Sequence, residues 1–219
     1  MPIDYTKGSG SQGRGVSLSK VTLTKNAPTV SLSKQQGGSA GGELRVNLNW
    51  NSRPASGGLF KRQAQGIDLD LACLYELSNG QKGVVQALGD SFRSRNEGAP
   101  IISLDGDDRT GQSAGGENLR IDLSRLGEIR RILVFTYIYE GTPNWAGASA
   151  IVTLYPQGGA PIEIQLDEAD PSARTCAIAL LESTGADLSV RREVRYVKGT
   201  QSALDAAYGW GMNWMKGRK

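Results

Sequence analysis

The chain has 219 residues, 29 of them glycine, close to double the usual share of about 7%, while charged residues make up only 21%. This length allows one large domain or two small ones, and no apolar run approaches the roughly 18 residues a membrane helix needs. The net charge is +3 and histidine is absent, which excludes Ser-His-Asp and Cys-His nucleophile systems, His-ligated zinc and His-based pH switching.

Residues 1–15 (MPIDYTKGSGSQGRG) are rich in Gly and Ser and read as a flexible leader, with residues 16–219 as one domain. No secretory apolar core marks the N-terminal residues, so a soluble, cytoplasmic protein is expected. The letters VSLSK occur at Val16 and return at Val30–Lys34 with VTLTK between them, which predicts short alternating strands. Glu43–Trp50 alternates throughout, with Leu44, Val46, Leu48 and Trp50 on one face and Glu43, Arg45, Asn47 and Asn49 on the other, a strand with one wet face. Further strands are predicted at 67–77, 84–88, 118–123, 129–139, 148–155, 162–166, 174–181 and 188–197, separated mostly by Gly, Asn, Asp or Pro turns.

Many short strands without intervening helices predict antiparallel pairing. The run Arg131–Tyr139 is apolar on both faces and therefore belongs between two layers, so the expected fold is all-β, an antiparallel β-sandwich of two packed sheets. A C-terminal amphipathic helix is predicted over about 201–215, its Trp side packed on the sandwich, although Gly209 and Gly211 interrupt the spacing. The two cysteines, Cys73 and Cys176, each lie in an apolar stretch and read as buried core thiols.

Charge is unevenly spread. Residues 1–66 hold nine Lys/Arg against two Asp/Glu, residues 67–140 eight against twelve, and residues 141–219 eight against eight. The basic first third lacks interleaved aromatics and reads as a solvated arm, with no nucleic-acid partner expected.

The acidic middle contains two informative segments, Ile67–Asp70 (IDLD) and Asp105–Glu117 (DGDDRTGQSAGGE). In a strand Asp68 and Asp70 project from one face while Leu69, Leu71, Cys73 and Tyr75 point into the core. Two adjacent carboxylates repel, and a hard divalent cation above them converts that repulsion into a site. Asp105, Asp107 and Asp108, the turn glycines Gly106 and Gly111, and the closing Glu117 supply more oxygens. Counted from Asp105, Thr110 and Gly116 stand where an EF-hand requires Gly and Glu, so it is not an EF-hand. On spacing alone an ion site and ordinary turn capping fit equally well. A carboxylate-pair hydrolase, with Asp68 or Asp70 as general acid and Asp107 as its partner, is the weaker reading, because no nucleophile or aromatic platform accompanies the pair.

Several segments together resemble the TerD family of tellurium-resistance proteins, and within it the branch called TerA-like. The residues that carry the resemblance are Gly15–Lys20 with Thr22–Lys25, Leu48–Trp50, Asp68–Asp70, Gly106–Gly111, Glu117 and the apolar strand after Ile129, with DLDLACLYEL, LDGDDRTG, AGGENLRIDL, YIYEGTPNW and AYGWGMNW giving the TerA-like character. The resemblance implies a β-sandwich, a non-enzymatic role in cytoplasmic stress resistance, and calcium held by Asp68, Asp70, Asp105, Gly106, Asp107, Asp108 and Glu117. Ser113–Gly116 replaces the further acids usual before the closing Glu, so one calcium ion, held more weakly, is implied rather than two. Partners would be other copies of the chain or other TerD-family proteins, with no small-molecule substrate. The rival reading is a self-assembling scaffold or filament subunit, indifferent to calcium and placed at an anionic membrane surface.

Overall fold

The DLDLACLYEL segment forms a ten-residue strand in which every residue is buried. That total burial fixes the architecture, because a strand with no wet face must be covered from both sides. The computed structural model describes residues 19–36, 40–51, 67–105, 116–141, 143–167 and 170–215. Twelve strands are present among them: β1 (Val21–Thr22), β2 (Thr29–Ser31), β3 (Glu43–Asn49), β4 (Asp68–Leu77), β5 (Lys82–Val85), β6 (Ile102–Leu104), β7 (Glu117–Asp122), β8 (Ile129–Glu140), β9 (Ile151–Pro156), β10 (Ile162–Gln165), β11 (Thr175–Ser183) and β12 (Leu188–Val197). Among the described residues there are also three short α-helices, α1 (Leu32–Gln36), α2 (Trp145–Ala148) and α3 (Gln201–Tyr208), and a 3-10 helix, Leu123–Glu128, between β7 and β8.

The strands form two six-stranded sheets, β1-β10-β9-β3-β7-β6 and β2-β12-β11-β8-β4-β5. The core between them takes Leu44, Val46 and Leu48 from β3, Leu69, Leu71, Cys73 and Tyr75 from β4, and Ile132, Val134 and Ile138 from β8. The expected sandwich is thus present, but its first sheet is mixed: β1 pairs with β10 in parallel, Val21 opposite Ile162. A parallel pair needs a long connection between its strands. Most of the chain separates these two, so the two-residue β1 can lie along the sheet edge in that direction.

The outer face of the second sheet is apolar as well. Ala72, Leu74, Leu133, Phe135, Tyr137, Ala177 and Leu180 form a second cluster there, closed by Leu204 and Trp210 from the C-terminal segment. This is why Arg131–Tyr139 reads as apolar on both sides. Its second cover is the chain's own tail.

That tail is less helical than expected. Helix α3 stops at Tyr208, where Gly209 adopts φ +61° in the left-handed region that favours glycine. Residues 210–215 instead run across the sheet, held by Asp205, whose buried carboxylate accepts hydrogen bonds from the Gly211 and Met212 amides at 2.7 and 2.9 Å and from Trp214 Nε1 at 2.8 Å. The second VSLSK copy also departs from a simple strand, dividing into β2 and α1. The first copy and the leader lie outside the described residues.

Cys73 and Cys176 are fully buried thiols and do not bond to each other. They sit on β4 and β11, with β8 between them. Burial pushes the Cys73 thiol up, away from the reactive thiolate. Both are expected to label slowly with thiol reagents in the native protein and rapidly in denaturant, and rapid native labelling of either would contradict this placement.

Candidate metal site

The alternation in β4 that sends Leu69 and Leu71 into the core turns Asp68 and Asp70 to the opposite face. Both are nonetheless withdrawn from solvent, Asp68 at 9% and Asp70 at 1% exposure. The third acid arrives from the other sheet. Glu117 opens β7 and, with Leu119 and Ile121, belongs to its buried face, at 3% exposure. β5 pairs with β4 only from Cys73 to Glu76, so the edge of β4 is open beside Leu71. The Glu117 carboxylate fills that opening, and its Oε2 accepts the Leu71 amide hydrogen at 2.5 Å.

Gly116 makes this approach possible. It has φ +61°, and a Cβ there would collide with the Leu48 carbonyl oxygen and the Asn49 side chain. Only glycine turns the chain so tightly beside β3 and delivers Glu117 to β4.

Sequence reasoning missed two residues at this end of the sandwich. Tyr137 stands directly across from Asp70 in the β4–β8 ladder. Its hydroxyl is buried and makes no hydrogen bond of good geometry, yet it lies close enough to feel both acids. Burial first, then the Asp70 carboxylate, and more weakly Glu117, push its ionisation far up, so it stays neutral. Glu140 occupies the position in register with Asp68 and is exposed. A strand-alternation reading gives the face of each residue but not its cross-strand neighbour, which is why neither was visible.

Asp105 is engaged elsewhere. Leu104 is buried, the next residue faces out, and both Asp105 carboxylate oxygens accept from Arg120 Nε, at 2.8 and 2.9 Å. Arg120 also donates to Glu43 at 2.7 Å, a surface network on the outside of the first sheet. Gly106, Asp107 and Asp108 lie outside the described residues. Among the described residues no three acids, cysteines or histidines close around a common point. The described acids toward this end are Asp68 and Asp70 of β4 and Glu117 of β7, with the neutral Tyr137 across from Asp70.

This donor set consists of hard oxygens, which suits calcium and not a soft metal. Concentrating carboxylates in a buried place raises their energy as anions, and a divalent cation offsets that repulsion directly.

Comparison with known proteins agrees with this architecture. No family model matches the chain. It is 42% identical over 207 residues to the tellurium resistance protein TerA of an Alcaligenes species, a match that takes in 93% of this chain and 60% of that protein. The chain thus spans about three fifths of the length of that relative. Among solved structures, a homologue of telluride resistance protein (TerD) from Streptomyces coelicolor A3(2) superposes with a TM-score of 0.53 at 20% identity, covering 79% of this chain and 99% of that one. A protein of unknown function superposes with a TM-score of 0.58 at 16% identity, covering 80% and 99%. At these identities the structures speak for the shared fold, while the sequence match shows that nearly all of this chain is similar to part of the tellurium resistance protein TerA.

Proposed function

We propose that the protein is a calcium-binding, non-enzymatic interaction protein of the bacterial stress response of which tellurite resistance is one expression. The observation that supports it is the convergence of Asp70 and Glu117, from two different sheets, on one buried end of the sandwich. Asp68, Asp70 and Glu117 would hold the ion, completed by Gly106, Asp107 and Asp108 of the adjoining loop. The ion would supply charge neutralisation and a link between the sheets. The role is structural and switch-like, with partners that are other copies of the chain or related family members.

The described residues favour binding over catalysis. The Tyr137 hydroxyl, raised by burial and by Asp70 and Glu117, is held neutral, so it is poorly suited to proton transfer near neutral pH. No helix among the described residues is long and apolar enough to cross a membrane.

An ion that binds only the folded state stabilises it by RT ln(1 + [L]/Kd), about 2.7 kcal/mol at a hundredfold excess over Kd. Calcium is therefore expected to raise the melting temperature relative to chelator. Asp70→Asn and Asp107→Asn should each remove more than half of that rise, since each takes a charge from a small ligand set. Identical melts in millimolar calcium and in chelator would sink the proposal, and an undiminished response in the double variant would show that other acids hold the ion.

A further inference from the structure

The four sheet edges are not equally protected. In the first sheet β1 is only two residues long. The outer edge of β6 is already paired, because Ser94 N donates to Ile102 O and Leu104 N to Phe92 O, both at 2.8 Å. In the second sheet β2 runs straight into α1, which turns the chain away after three residues. The remaining edge is β5, and no described strand lies beyond it.

The orientation of its backbone follows from the ladder. Leu77 N donates to Gln81 O, and the register runs on through Tyr75 opposite Gly83. Antiparallel pairs alternate, so the main-chain groups of Gly83 face β4 and those of Lys82 and Val84 face outward. They face into a cleft of about 610 Å³, not onto a flat surface. Its outer wall is the tail, with Met212, Trp214 and Met215, and Met215 is 91% exposed. Lys82 and Arg95 stand along it, both exposed, and no carboxylate is among the described residues that line it.

We propose that this cleft binds an extended, acidic segment of a partner protein, which adds to the second sheet as a strand beside β5. The Lys82 and Val84 main-chain groups would pair with the incoming backbone. Alternate apolar side chains would rest on the indole of Trp214 and on Met212 and Met215, whose flexible thioethers accommodate varied shapes. The acidic character follows from charge complementarity with Lys82 and Arg95. None of Asp68, Asp70 and Glu117 lines the cleft, and the assignment holds whether or not calcium is bound by those acids.

The test uses a short fluorescein-labelled peptide of alternating valine and glutamate, with a valine-lysine peptide as control, titrated with the full chain in chelator at low salt. The glutamate peptide is expected to bind at least about tenfold more tightly than the lysine peptide. Arg95→Glu, which leaves the sheet intact, should abolish that preference. Val84→Pro, which removes an outward amide without breaking the β4–β5 ladder, should weaken binding by about tenfold or more. Amide exchange at Lys82 and Val84 should slow when the peptide binds. Equal affinity for both peptides, or peptide binding with no protection of these amides, overturns the proposal. Protection of the same amides in concentrated protein alone would assign the cleft to a second copy and overturn it too.

Discussion

Trp210→Ala is expected to cost about 3–5 kcal/mol of folding stability, as complete truncation of a buried tryptophan does. The side chain is fully buried. It joins the tail to the sheet in three further ways. Its Nε1 donates to Tyr75 O at 3.2 Å, its carbonyl accepts from Lys82 Nζ at 2.6 Å, and Arg131 stacks over its ring at 3.9 Å. Without the ring, Phe135, Leu133 and Leu74 lose part of their cover. Urea unfolding should show the loss, and increased binding of an apolar dye should report the uncovered face. Trp210→Phe should lose less, because it keeps most of the apolar area and gives up the Tyr75 bond. A loss below about 1 kcal/mol for the alanine variant would mean that the tail is not part of the core.

Glu76→Gln is the second large effect, at about 2–3 kcal/mol near neutral pH, since it discharges a buried acceptor between two guanidinium groups. Glu76 is 2% exposed and accepts from Arg130 at 2.5 Å and from Arg131 at 2.7 Å. Burial alone would raise its carboxyl, but the hydrogen bond and charge of Arg131, with the charges of Arg130 and Lys82, outweigh it and hold the group below its ordinary value. A carboxyl whose folded value is depressed contributes stability above its unfolded value, and that contribution fades as pH falls through the folded value. The gap between wild type and variant should therefore be full at neutral pH and close below about 4.5. Urea melts at a series of pH values measure it, and a gap that stayed constant into acid would contradict the assignment. Because Arg131 touches both Glu76 and Trp210, the two substitutions should not be additive.

Much of this architecture is legible from period-two alternation. Strand β3 follows its apolar pattern almost to the residue, and the shared face of Asp68 and Asp70 comes from the same rule. The failures have local causes. The second VSLSK copy bends into α1 because Asp187, far along the chain, accepts from Ser31 Oγ at 2.7 Å and the Ser33 amide at 3.0 Å, while Leu32 is fully buried. No window around residue 32 contains that partner. Strand β6 is too short to show a period. The helix expected to reach Met215 ends early because the glycine at 209 and the Asp205 carboxylate together favour a turn and a strap. At the acid site, Glu117 was identified as an acid but not as an inward one, and Tyr137 emerges only when β8 is laid beside β4. Asp105 could have been placed from the sequence, since the residue after an inward Leu104 points out.

The consecutive strands β1 and β2 belong to different sheets, so the short connection between them crosses from one layer to the other at a single margin of the sandwich. Their partners, β10 and β12, come from the far end of the chain. During synthesis the first strands therefore emerge long before anything exists for them to pair with. The most sequence-distant contacts close last, and loop closure of that length slows folding. Until then the nascent chain carries exposed strand edges, the condition under which chains stick to one another. The glycines, serines and isolated lysines of the first forty residues are suited to that interval, because they keep the waiting segment hydrated and poorly adhesive until the sandwich can be fastened at its margin.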